Sequence, residues 1–98
     1  MRSGRRIAFD VGKARVGVAL SDFHAILATP IDHLTRSADL AALIAEASKI
    51  VTENEAIEIY VGLPLNLKNE STLSTEDAVD FARALALQTD VAVRLIDE

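Results

Sequence analysis

Cysteine is absent from the 98 residues. That excludes disulfides and thiolate zinc sites and suits a cytoplasmic protein. Aromatic residues are scarce, 4 % of the chain against 50 % hydrophobic residues in all, so Ala, Leu, Ile and Val must build the core. Such a composition suits strands packed against helices. No apolar run approaches the roughly 20 residues needed to span a membrane, and no membrane partner is expected. The basic start Met1-Arg2-Ser3-Gly4-Arg5-Arg6 leads into no apolar signal core, because Asp10 interrupts the run. Internal repeats and low-complexity stretches are also missing. The length suffices for one domain and is too short for two, so residues 1–98 read as a single domain.

The net charge of −5 argues against a protein that coats nucleic acid non-specifically. The charge is nevertheless uneven. Residues 1–15 carry Arg2, Arg5, Arg6, Lys13 and Arg15 against Asp10 alone, a local +4, which leaves −9 for the other 83 residues. Either a basic edge stands beside an acid, or Arg2, Arg5 and Arg6 form a solubilising tail.

Alternation of apolar residues predicts strand one over 5–11, with Ile7, Phe9 and Val11 on one face and Arg6, Ala8 and Asp10 on the other. Gly12 and the basic residues after it mark a tight reversal into strand two over 15–21, with Asp10 near the open rim of the hairpin. Ser21-Asp22-Phe23-His24 reads as a turn. Residues 26–34 form a third strand, which Pro30 assigns to a sheet edge. Ser37 and Asp39 open a helix with the apolar stripe Leu40, Leu43, Ile44, Ala47, Ile50 and Val51, fading at Asn54. Strand four covers 57–61 and ends at Gly62 and Pro64, followed by a polar loop over 64–72. Ser74 and Asp77 offer a capping-box-like start for a second helix with the stripe Ala78, Phe81, Ala82 and Leu85. Asp90 precedes strand five, 91–96. The order β-β-β-α-β-α-β predicts a mixed five-stranded sheet with helices on its faces. Strand five is apolar on both sides with no helix after it, which reads as a chain truncated at its C-terminal end, the alternative being a partner chain that covers the gap.

An ionised carboxylate within a buried strand asks for a cation, so Asp10 is either a metal ligand or a residue that ends its strand and caps the turn. In open sheets with parallel strands, sites gather at the carboxyl ends of those strands. Strands one, four and five would bring Asp10 towards Asp97 and Glu98, 87 residues further along. Two carboxylates about 4 Å apart repel by roughly 4 kcal/mol at an effective dielectric of 20. A divalent cation removes that cost, and oxygen-only ligation points to Mg²⁺ or Mn²⁺. The plain alternative for Asp97 and Glu98 is a solvated chain end. Lys13, Arg15, Asn66 and Lys68 are candidate phosphate contacts, Asn66 and Lys68 being explained almost as well by an ordinary turn. His24 and His33 lack a partner at ligand spacing, Ser21 lacks an evident base, and Tyr60 alone makes no stacking series.

Two segments carry a resemblance. Phe9-Asp10-Val11-Gly12-Lys13-Ala14-Arg15-Val16-Gly17-Val18-Ala19-Leu20-Ser21-Asp22 resembles the opening motif of the YqgF/RuvX family, and Val61-Gly62-Leu63-Pro64-Leu65-Asn66 its second motif. Asp97-Glu98 resembles the start of the third, and Ala28-Thr29-Pro30 fits the segment between. The resemblance implies an RNase H-like α/β fold with strand order 3-2-1-4-5, lacking its terminal helix here, and a cytoplasmic bacterial protein. It implies a metal-dependent endonuclease with Asp10, Glu98 and Asp97 as metal-ligating acids, acting on the 5′ end of 16S rRNA precursor. Branched DNA, as in a Holliday junction resolvase, is the alternative substrate, and a homodimer is left open. A non-catalytic RNA- or ribosome-binding module is an alternative of another class. Asp10-Val11-Gly12 with Gly17 also resembles the first phosphate motif of actin-like kinases, which need two such domains where this chain has length for one.

Overall fold

The computed structural model describes residues 4–21, 28–36, 39–63 and 73–97. Its elements run β1 (Arg6–Val11), β2 (Arg15–Ser21), β3 (Ala28–Thr35), α1 (Leu40–Glu53), β4 (Glu58–Leu63), α2 (Leu73–Ala86) and β5 (Ala92–Asp97). The strands form one sheet in the order β3-β2-β1-β4-β5. β2 runs antiparallel to both β1 and β3, while β1, β4 and β5 are parallel. Four strands therefore end at the same rim. The fold is the expected mixed α/β sheet, in the expected order.

Alternation does the sorting. Ile7, Phe9 and Val11 of β1, Val16 and Val18 of β2, and Ile59 and Val61 of β4 are all buried. They join Leu43, Ile44, Ala47 and Val51 of α1 and Ala78, Phe81, Ala82 and Leu85 of α2 in one core. The rings of Phe9 and Phe81 pack with centroids 5.4 Å apart and planes tilted by 59°. They are the two largest fully buried side chains among the described residues.

Several expectations need correction. Both helices join the same core on one side of the sheet, so the other face, carrying Ala8, Asp10, Gly17 and Tyr60, has no described helix over it. Asp10 is accordingly exposed, not buried as the apolar run around it implied. Leu40, placed on the α1 stripe, is 41 % exposed because it is the helix's first residue. Gly62 belongs to β4 and does not end it. Arg6 is no solubilising tail residue. It is 7 % exposed, and its Nε donates to Glu58 Oε1 at 2.9 Å, while Arg94 Nε donates to Glu58 Oε2 at 2.9 Å. A buried guanidinium needs such pairing to offset its lost hydration. Glu58, held between two arginines and above all by the Arg6 hydrogen bond, titrates below its ordinary value.

The local signals at α1 hold. Asp39 caps it, accepting from the Ala41 and Ala42 N–H groups at 3.0 and 3.4 Å. Asn54 closes it through its N–H to the Ile50 carbonyl, 3.1 Å. Pro30 lies on edge strand β3, beside a register shift that skips Ile31. Ser37 and the Asp22–His24 turn lie outside the described residues.

Candidate functional site

The rim where β1, β3, β4 and β5 end collects the residues of interest. β1 turns into β2 through Lys13 and Ala14, closed by the Gly12 N–H donating to the Arg15 carbonyl at 2.9 Å. A Cβ on Gly12 would lie 2.9 Å from that same carbonyl oxygen, so the turn requires glycine. Lys13 and Arg15 are exposed on it. They stand three and five residues from Asp10, and the basic turn and the acid share one end of the sheet.

Asp10 pairs with Gly17 across the β1–β2 ladder, and Gly17 pairs in turn with His33 of β3. On the other side, β1 and β4 are in register through Phe9 and Val61, so Asp10 is level with Gly62, whose partner in β5 is Ile96. The acid is thus flanked by a glycine on each neighbouring strand. A Cβ on Gly17 would meet the Asp10 Cβ at 3.7 Å, ordinary contact, so backbone sterics do not demand glycine there. What glycine does provide is space around the carboxylate.

Asp97 ends β5 level with Leu63, one step beyond the row of Asp10. Its side chain lies outside the described residues, as do Glu98, Asn66 and Lys68. The expected convergence of Asp10 with Asp97 and Glu98 therefore lies outside the described residues. His33 is exposed on β3 and engaged in an interaction of its own. Among the described residues, no three His, Asp or Glu side chains form a metal-sized cluster, and no helix is long and apolar enough to cross a membrane.

Arg36 was not singled out from the sequence, and Asp77 was read only as part of a helix start. Arg36 follows β3 and donates through Nη1 to the Gly12 carbonyl at 2.9 Å and through Nη2 to Asp77 Oδ1 at 2.9 Å. Nη1 also pairs with Asp77 Oδ2. The carboxylate thus accepts from the Arg36 fork, while the Ser74 side chain of the expected capping box lies outside the described residues. These hydrogen bonds push the Asp77 carboxyl below and the Arg36 guanidinium above their ordinary values. The sequence signal was slight, an Arg just after a strand and an acid early in a helix, 41 residues apart.

Comparison with known proteins bears on this rim. Residues 4–98 match the family described as RuvX: Holliday junction resolvase. A protein of Clavibacter sepedonicus with the name "Putative pre-16S rRNA nuclease" is 47 % identical over 98 residues, covering all of this chain and 61 % of the relative. A protein of the same name from Leifsonia xyli subsp. xyli is 50 % identical, covering 100 % of this chain and 63 % of the relative. The chain thus spans about three-fifths of the length of these relatives. Among solved structures, Thermus thermophilus RuvC in complex with a Holliday junction substrate superposes with a TM-score of 0.69 at 13 % identity, over 96 % of this chain and 64 % of that one. That likeness shows a shared RNase H-like fold.

Proposed function

We propose a function from the premise that this chain belongs to the RuvX family: the full-length protein is a divalent-metal-dependent endonuclease that processes the 5′ end of 16S rRNA precursor in the cytoplasm. The names of the relatives support the substrate. The observation that carries the chemistry is the exposed Asp10, set between Gly17 and Gly62 beside a turn bearing Lys13 and Arg15. The domain is read as one RNase H-like unit over 1–98.

The residues present fit an oxygen-ligated divalent ion. Asp10 offers an exposed carboxylate, and Gly17 beside it adds no side chain. Two ladder spacings separate β1 from β5, roughly 10 Å. An Asp on one strand and a longer acid on the other would hold the ion between them. In β5 the even positions Arg94 and Ile96 share the row parity of Ala8 and Asp10. That parity favours Glu98 as the partner acid, with Asp97 beside it. Bound Mg²⁺ or Mn²⁺ supplies Lewis acidity and a more acidic water. Asp10 would hold the ion beside the attacking water, and Glu98, with Asp97, would complete the ligand set. Lys13 and Arg15 hold flanking phosphates, with Asn66 and Lys68 as further candidates, and none of the four reads base identity.

The family description and the shared RuvC fold favour a second reading, cleavage of branched DNA. Incubating the full-length protein with 16S rRNA precursor and with a four-way junction, each with Mg²⁺ or Mn²⁺, separates them. The rRNA reading expects faster, metal-dependent cut of the precursor. Cleavage of the junction alone would establish the second reading, and RNA binding without cleavage a non-catalytic module.

A further inference from the structure

The basic turn does not stand alone. Arg36 holds it from two directions: its backbone N–H donates to the Ala14 carbonyl at 3.0 Å, and its Nη1 donates to the Gly12 carbonyl at 2.9 Å. The same guanidinium forks onto Asp77 in α2 through Nη1 and Nη2. One side chain thus spans the β1–β2 turn, the end of β3 and the helix that follows β4. Because both terminal nitrogens are occupied and the charge is met by Asp77, Arg36 is poorly placed to bind a phosphate itself.

We propose that Arg36 is a positioning residue that locks the Gly12–Arg15 turn relative to Asp10, so that Lys13 and Arg15 meet substrate phosphates in register with the acid. This rests on the nuclease reading for its meaning, though not for its measurement. A planar fork meets a carboxylate and a carbonyl together, which a lysine ammonium does not reproduce. The turn is two residues long and held at its base by the Gly12–Arg15 hydrogen bond. Remove the guanidinium and the turn keeps its fold but loses its tie to α2.

The test uses the full-length protein. Affinity for a 16S rRNA precursor fragment is measured in an Asp10→Asn background, and KM and kcat in the active protein, with thermal melts alongside. Arg36→Ala should raise Kd and KM about fivefold, the size of a lost surface charge contact, with kcat changed less than about twofold. Arg36→Lys should retain the fold and raise Kd by a smaller factor, and carries the test should Arg36→Ala not fold. The exchange Arg36→Asp/Asp77→Arg discriminates further. It rebuilds a pair between the end of β3 and α2 and should recover the lost melting temperature. It should leave KM raised, because an aspartate at position 36 is an acceptor only and cannot bond the Gly12 carbonyl. A folded Arg36→Ala or Arg36→Lys protein with wild-type Kd, or an exchange that restores KM together with stability, would overturn the proposal. Cleavage surviving in Asp10→Asn would instead undo the assignment of Asp10, and no cleavage by the unsubstituted protein would undo the nuclease reading, while the Kd comparison still decides the role of Arg36.

Discussion

Gly17 faces Asp10 across the β1–β2 ladder, and a Cβ placed there would sit 3.7 Å from the Asp10 Cβ. The contact is ordinary, so Gly17→Ala should fold with stability unchanged to within about 1 kcal/mol. A larger side chain is another matter. Gly17→Val puts branched bulk beside the carboxylate and should cut metal-dependent cleavage by about tenfold or more, as small misplacements at a reacting centre do. Comparing the urea midpoint and the cleavage rate of both variants checks this, and equal activity in Gly17→Val would show that the space is not used.

Lys13 and Arg15 project from the turn that Gly12 makes possible. Replacing both with Ala should weaken RNA binding with little regard to sequence and lower the salt slope of log K by about 1.5, close to two released counterions on a single strand. Titration of RNA affinity against KCl measures it. An unchanged slope would remove these residues from the phosphate path.

The strands, the helices and the core were legible because period-two and helical patterns survive wherever burial is one-sided: Ile7, Phe9 and Val11 on β1, Ala78, Phe81, Ala82 and Leu85 on α2; the strand order was implied by the family resemblance alone. The turn at Gly12 was legible from glycine before basic residues. The exposure of Asp10 was not, because an apolar run shows which residues flank an acid, not whether a helix covers its face. The roles of Arg6 and Asp77 were hidden for a related reason. Each partners a residue distant in sequence, Glu58 or Arg36, brought near by strand register and helix docking alone.

Glu58 is held by Arg6 and Arg94, and Asp77 by Arg36, and both carboxyls titrate below their ordinary values of 4.5 and 3.8. A carboxyl depressed in the folded state contributes stability above its unfolded value, and that stability is lost as pH falls through the folded value. The urea midpoint should therefore drop as pH is lowered from about 6 to about 3.5, and the drop should be shallower in Glu58→Gln. A drop of equal size in the variant would show that the arginine pair does not set it.

Phe81 packs against Phe9 at the centre of a core poor in aromatics. Phe81→Ala should cost about 3–5 kcal/mol, the range for emptying a buried aromatic site. Urea unfolding reads the loss directly, and a cost under about 1 kcal/mol would mean that the helices repack over the sheet.

The most direct measurement is cleavage of 16S rRNA precursor by the full-length protein carrying Asp10→Asn, at saturating Mg²⁺ or Mn²⁺, with circular dichroism confirming the fold. Asp10 is exposed and outside the core, so the variant should fold as the parent does and lose cleavage by about a thousandfold, as removal of a group central to charge stabilisation does. Cleavage at the parent's rate would contradict the assignment of Asp10 as the acid around which the site is built.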